Sequence, residues 1–256
     1  MKKFLGYILS PIAIVAFLLL LCIFQPIQWI SYRFFGYKAH KSTVDLLNLL
    51  LTGTVYILGN TVTFINNQHL PVNRPIIFLA NHQSMLDIPP LIWYLRKYHA
   101  KFISKIELTK GIPSISYNLK YGGGANINRK DSRQSLMEMS KMGIRMKENN
   151  WSAVIFPEGT RSKTGQVKTF QVGGIAIILK KCPNALLVPI AIKNSWKVIR
   201  YGLYPLNTFT PMTWEVLEPI EPGTSSVDEL VAEAENRIKK ALGQLPNPLK
   251  EGTIVD

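Results

Sequence analysis

The chain has 256 residues, 47% of them hydrophobic and 18% charged, with 16 Pro, 17 Gly and 2 Cys. These values exclude a disordered polymer, a collagen and a disulfide scaffold, and the length suits one α/β domain with a short appendage. The net charge of +14 is unevenly spread: residues 1–44 carry +5 with no acid, residues 214–256 carry −5, and the middle of the chain carries +14. An excess of that kind attracts an anionic partner, and phosphorylated lipid, an anionic membrane surface, an acidic carrier protein and nucleic acid all meet the description.

From Phe4 to Tyr32 there is no charged residue. As a helix, Phe4 to Phe24 extends about 31 Å, enough for a hydrocarbon core of about 30 Å. No small-x-small cleavage site follows the run, which argues against a removed signal peptide. A second uncharged stretch, Leu46 to Phe64, is interrupted by Asn48, Gly53, Gly59 and Asn60, and is the weaker candidate span. Two reasonable arrangements follow: one true span, or two antiparallel helices dipping into one leaflet. Trp29, Tyr32, Phe34, Phe35 and Tyr37, beside Arg33, Lys38 and Lys41, mark residues 29–41 as interfacial, and the basic flanks lean toward a cytoplasmic catalytic part. We therefore expect a membrane-anchoring segment over 1–65 and a catalytic domain over 66–256.

Beyond residue 70 short apolar strands alternate with helical patterns, which predicts an α/β fold with a mostly parallel sheet. Pro75–Ala80, Ala100–Ile103, Trp151–Phe156 and Leu186–Ile192 read as strands. Asp131–Lys147 reads as a helix with Asp131 at its N-cap and Leu136, Met139, Gly143 and Met146 on the buried face. Ser226 to Glu229 form a capping box opening a helix that ends near Gly243. Cys22 and Cys182 are too far apart and too isolated for a disulfide framework or a Cys metal site, no metal is expected elsewhere, and His40, His69 and His99 read as surface histidines.

Asn81-His82-Gln83-Ser84-Met85-Leu86-Asp87 follows directly on the first of these strands, where open α/β sheets build their sites. With His82 in the turn and Asp87 in the first turn of a helix, the carboxylate holds one imidazole nitrogen protonated and leaves the other as a base. Phe156-Pro157-Glu158-Gly159-Thr160-Arg161-Ser162 ends another strand on the same edge. Gly159 permits close backbone approach, Thr160 adds a hydroxyl, and Arg161 a planar fork suited to phosphate, so the segment reads as an anion cradle. Lys101 and Lys105 flank a strand, with Lys105 a further candidate for the phosphate.

Two such segments in this order resemble the glycerolipid acyltransferase family, of the lysophosphatidate acyltransferase type. The resemblance covers about residues 75–195 and rests on Asn81, His82, Ser84 and Asp87 and on an unbroken match over 156–162. Two weaker blocks, Gly123 to Arg129 and Val188-Pro189-Ile190, fall in family order, and Phe170-Gln171-Val172-Gly173 matches a further segment. Ala125 and Asn126 stand where the family commonly has bulky apolar residues. The resemblance implies transfer of an acyl chain from a thioester, acyl-CoA or acyl carrier protein, to the sn-2 hydroxyl of lysophosphatidate (1-acylglycerol 3-phosphate), giving phosphatidate; we expect no cofactor, and from the apolar run and its basic flanks a cytoplasmic membrane. It implies His82 and Asp87 as the catalytic pair, and Glu158, Gly159, Thr160, Arg161 and Arg129 at the phosphate.

Three other readings are weighed against it. One is an acyltransferase with another lysolipid acceptor. A second is a lipid hydrolase with Ser84 as nucleophile, disfavoured because no Gly-x-Ser-x-Gly elbow is present. The third is a membrane-tethered nucleic-acid binder, disfavoured because the recognition patterns of common modules are absent, so no nucleic-acid partner is expected.

Overall fold

The computed structural model describes residues 2–245. A seven-stranded sheet runs in the order β1-β7-β6-β2-β5-β3-β4, and every neighbouring pair is parallel except β6 with β7. The strands are β1 (Thr61–Asn66), β2 (Ile76–Ala80), β3 (Ala100–Lys105), β4 (Ala125–Ile127), β5 (Ser152–Ile155), β6 (Leu186–Lys193) and β7 (Pro211–Val216).

All five residues of β2 are buried, because helices cover both faces of the sheet. Its side chains alternate between two cores. Ile77 and Leu79 meet Met142 and Met146 of α4 (Ser132–Asn149), Ile175 and Ile178 of α5 (Gly173–Lys181) and Leu230 and Ile238 of α7 (Val227–Ala241). Ile76, Phe78 and Ala80 face the other way, into a core completed by Leu91 of α2 (Ile88–Tyr94) and Ala13 of α1 (Lys2–Thr54). A three-layer α/β/α sandwich is the result.

Helix α1 is two arms joined at Gly36, whose φ of 77° and ψ of −170° break the helical path. Glycine occupies that region at no steric cost, so the chain reverses there. Leu21 and Phe24 of the first arm then pack on Leu47 and Leu51 of the second. Along its length the first arm rests on the rest of the molecule: Ser10 Oγ accepts from Leu206 N (2.8 Å), Leu21 O accepts from Ser114 Oγ (2.6 Å), and Tyr32 packs against Tyr117 and Tyr121 of α3 (Ile115–Tyr121).

Several expectations need correction. The stretch Leu46–Phe64 is not a second span. It completes α1 and then enters the sheet as β1, because Gly59 turns left-handed (φ 68°) and the Asn60 side chain bonds Thr210 N and Asn207 O. The sheet thus starts at Thr61, inside the expected anchor segment of 1–65. On α4, Asp131 caps Gln134 N as expected, but Leu136 is exposed and Met142 is buried in its place. The helix crosses α5 over its C-terminal half, with Gly143 against Ile178, so its first turns overhang solvent. His40 is buried rather than on the surface, and His99 is half-buried beside Tyr37 and Trp151; His69 is exposed as expected.

Candidate active site

Parallel β2, β5 and β6 are neighbours, so their C-terminal ends bring residues 81–87, 156–162 and 193–195 together. The turn after β2 is fastened to β6 by side chains. Asn81 Oδ1 accepts from Ile192 N (2.7 Å) and its Nδ2 donates to Ile192 O (2.9 Å); Gln83 Nε2 donates to the same carbonyl (2.8 Å).

His82 is held by its backbone and its ring. Its N–H donates to Glu158 Oε1 (2.8 Å) and its carbonyl accepts from Ser162 N (2.7 Å), so the turn and the loop after β5 form one unit. The imidazole stacks on Phe156, with centroids 4.0 Å apart and planes at 15°. Nδ1 lies 2.9 Å from Asp87 Oδ2, and the His82 side chain keeps 16% of its surface while Asp87 has none. A buried carboxylate accepts and does not donate, so Nδ1 carries the proton and the Nε2 lone pair is available.

Asp87 is satisfied from two sides. Oδ2 takes the N–H groups of Gln83 (2.7 Å) and Ser84 (2.9 Å) as well as the imidazole, while Oδ1 takes the Ser195 hydroxyl and, at 3.4 Å, that of Ser84. Ser84 is buried, and its Oγ caps the 3₁₀ turn Met85–Asp87 by accepting from Leu86 N (3.1 Å). That hydroxyl is committed to the backbone and Asp87, which removes the ground for a Ser84 nucleophile.

The loop after β5 has an inner and an outer side. Glu158 is buried, with Oε1 accepting from His82 N, so it braces the histidine turn instead of facing an anion. Gly159 adopts a φ of 69° with open space around it, and Thr160 and Arg161 project into solvent. Lys168 Nζ ties the loop by donating to Thr160 Oγ1 (2.9 Å) and Arg161 O (3.0 Å). Among the described residues the Arg161 guanidinium meets no hydrogen-bond or ion-pair partner. Lys105 ends β3 and Arg129 follows β4 on the same sheet edge; both are exposed and lie farther out in the strand order. Lys101, at the opposite end of β3, is buried: it donates to Tyr37 Oη and lies over the Trp151 ring at 4.7 Å, and burial first, then Lys41, lowers its pKa to about 7.

Burial pushes the Glu158 carboxyl up to about 7, although the His82 and Lys168 backbone N–H groups pull the other way. The folded chain therefore holds a proton at Glu158 that the unfolded chain has lost at the same pH. Stability falls as pH rises from the ordinary glutamate range through about 7. Glu158→Gln keeps the acceptor for His82 N and should flatten that decline, which melting temperatures between pH 5 and 8 will read; an unchanged slope would assign it elsewhere.

The sequence reading gives no role to Phe156 and Asn81 and does not reach Ser195 at all. Phe156 and Asn81 stand inside the two motifs, whereas Ser195 lies 108 positions from Asp87 and carried no signal.

A family model described as acyltransferase matches residues 61–193. The chain belongs to the acyltransferase family. Within it, the chain is 31% identical over 176 residues to a chloroplastic 1-acyl-sn-glycerol-3-phosphate acyltransferase of Brassica napus, covering 68% of this chain and 49% of that one. It is 30% identical over 165 residues to the human 1-acyl-sn-glycerol-3-phosphate acyltransferase beta, covering 64% and 58%. The matches to the Brassica napus protein and to an Arabidopsis thaliana acyltransferase of the same description span about half the length of those relatives. The fold is shared with the crystal structure of the 1-acyl-sn-glycerophosphate acyltransferase PlsC of Thermotoga maritima, at a TM-score of 0.76, 23% identity and coverage of 95% and 97% of the two chains.

Proposed function

We propose that this acyltransferase moves an acyl chain from a thioester, acyl-CoA or acyl carrier protein, to the sn-2 hydroxyl of lysophosphatidate, forming phosphatidate for phospholipid synthesis. The observation that carries the reading is an imidazole oriented by a buried carboxylate and bonded through its backbone to the loop bearing Arg161, with His82 Nε2 and the Arg161 guanidinium both without a partner among the described residues. An alcohol attacks poorly at neutral pH unless a base removes its proton as the bond forms. His82 Nε2 takes that proton as the hydroxyl oxygen adds to the thioester carbonyl. Asp87 offsets the imidazolium charge, and the proton then passes to the departing thiolate. No acyl-enzyme is needed, in keeping with the Ser84 hydroxyl being occupied as a cap.

Arg161 serves the acceptor's phosphate, with Lys105 and Arg129 as an outer basic rim. Because that phosphate is remote from the reacting hydroxyl, its binding is equal in ground and transition states and acts mainly on KM. Arg161→Ala should raise the acceptor KM roughly 10- to 150-fold, the loss of a charge-assisted bond of about 1.5–3 kcal/mol. Lys at this position should recover only part, since it lacks the planar fork. A monoacylglycerol acceptor, which has no phosphate, should show little further loss; equal losses on both acceptors would make Arg161 a donor-binding or structural residue.

The N-terminal hairpin holds the enzyme on its membrane, with the catalytic domain on the cytoplasmic side. Ile8, Ile12, Val15, Leu19 and Ile23 form an exposed apolar stripe on the outer side of α1. The helix packs on the α/β domain from end to end, so crossing a bilayer would carry polar domain surface into hydrocarbon. That favours a two-helix interfacial anchor over a span. Purified full-length protein assayed with both donor types against lysophosphatidate and other lysolipids tests the proposal; turnover of another lysolipid in preference to lysophosphatidate would overturn the acceptor assignment, and thioester hydrolysis without transfer would overturn the reaction.

A further inference from the structure

The connection from the end of β6 to β7, which carries the short helix α6 (Ser195–Val198), is long, basic and apolar at once, and beyond Ser195 the chemistry described above leaves it unused. Between Lys193 and Thr210 it contains Lys193, Lys197 and Arg200 and no acid. At its tip Leu203 is 64% exposed and Tyr204 53%, and Phe209, where the loop returns to Leu58 and Gly59, is 49%, so three large apolar groups of one loop stand in solvent. Exposed apolar surface of this kind marks a binding face.

The tip is not loose. Leu206 N donates to Ser10 Oγ (2.8 Å), Tyr204 Oη donates to Tyr7 O (3.2 Å), and the Tyr7 and Tyr204 rings meet edge to face at 5.5 Å. A Cβ on Gly6 would collide with Leu206 O, so the loop presses directly onto the helix. Its apolar tip therefore continues the outer stripe of α1 at that helix's N-terminal end. Around the root the cations lie on aromatic rings, Lys3 at 5.0 Å and Arg200 at 5.1 Å from Tyr201 and Lys197 at 5.9 Å from Trp196. Apolar side chains outermost, aromatic rings and bases behind them, is the arrangement expected across the acyl-to-headgroup boundary.

We propose that Tyr201–Phe209 is a second membrane contact, entering the same leaflet as the outer stripe of α1 while its flanking bases meet lipid phosphates. This rests on the membrane reading of α1 given above. The occupant is an anionic bilayer because the loop and residues 1–44 are both free of acids, and because the apolar surface is continuous between two separate parts of the chain. The loop follows α6, whose first residue Ser195 bonds Asp87, so its insertion sets the active-site edge of the sheet at the lipid surface, where a lysolipid headgroup reaches His82 without leaving the leaflet.

The test uses the full-length protein with Cys22→Ser, Cys182 being buried, and a nitrobenzoxadiazole label on Leu203→Cys, Leu19→Cys or Val72→Cys. Val72 is exposed, and Asn150 Nδ2 bonds its carbonyl just ahead of β5, at the sheet edge opposite the site. Each variant is bound to phosphatidylglycerol–phosphatidylcholine vesicles with or without nitroxide on the lipid acyl chains. Nitroxide should quench the labels at 203 and 19 and leave that at 72 bright. Quenching at 19 without quenching at 203 would overturn the loop proposal and leave the anchor reading standing. Quenching at neither would overturn both, and quenching at all three would show non-specific adsorption and overturn the loop proposal.

Discussion

His82→Ala should lower kcat by about 10²- to 10⁴-fold, the usual share of general-base catalysis, with a much smaller change in acceptor KM. The variant should fold, because the contacts that shape the turn at this position use the backbone: His82 N to Glu158, His82 O to Ser162 N. What is lost is the imidazole and its stack on Phe156. Steady-state kinetics on the purified variant, beside its melting temperature, are the measurement. Turnover within a few-fold of the parent in a folded variant would remove His82 from the reaction.

Asp87→Asn should be nearly as severe, with kcat reduced roughly 10³- to 10⁴-fold, because a neutral amide does not stabilise the imidazolium formed in the transition state. The division of labour at Asp87 makes this a test of charge. Oδ2 faces only N–H groups, whereas Oδ1 faces the Ser84 and Ser195 hydroxyls, which accept as well as donate. An asparagine therefore keeps its oxygen toward His82 and turns its amide to the hydroxyls, and the turn survives. If instead it presents its amide to Nδ1, the proton moves to Nε2 and the base is lost, so both orientations lower kcat. Ser195→Ala, which removes one donor and no charge, should cost far less; a loss as large as that of Asp87→Asn would show that orientation outweighs charge here.

The strands that form the middle of the sheet were legible because they are buried on both faces. Ile76–Ala80 and Leu186–Lys193 are almost unbroken apolar runs, and such runs between turn residues mark parallel strands without any knowledge of the fold. The edge strands were not. Thr61–Asn66 is half-exposed and continues an uncharged stretch that reads equally as helix, and only its pairing with β7 makes it a strand. Pro211–Val216 lies inside the sheet, yet it too is made a strand by distant pairing, with β1 150 positions earlier on one side and β6 20 to 26 positions earlier on the other. On α4 the 3.6-residue period was correct, while the crossing with α5 decided which turns it buries.

The two site motifs announced themselves because their chemistry is local: a histidine and an aspartate five residues apart close a hydrogen bond inside one turn. Local sequence thus determined the bonded His82–Asp87 pair, the loop bearing Arg161 and the apolar character of the N-terminal run. Tertiary structure decided what these parts do to one another. It turned Glu158 inward to brace His82, supplied Ser195 from across the sheet, buried Lys101 between Tyr37 and Trp151, and folded the apolar run at Gly36 into a hairpin along the domain. The physical reason is the same in each case: whether a polar group binds substrate or braces the fold, and whether an apolar face meets protein or lipid, depends on which surfaces the fold brings against it, and the order of residues along the chain does not carry that information.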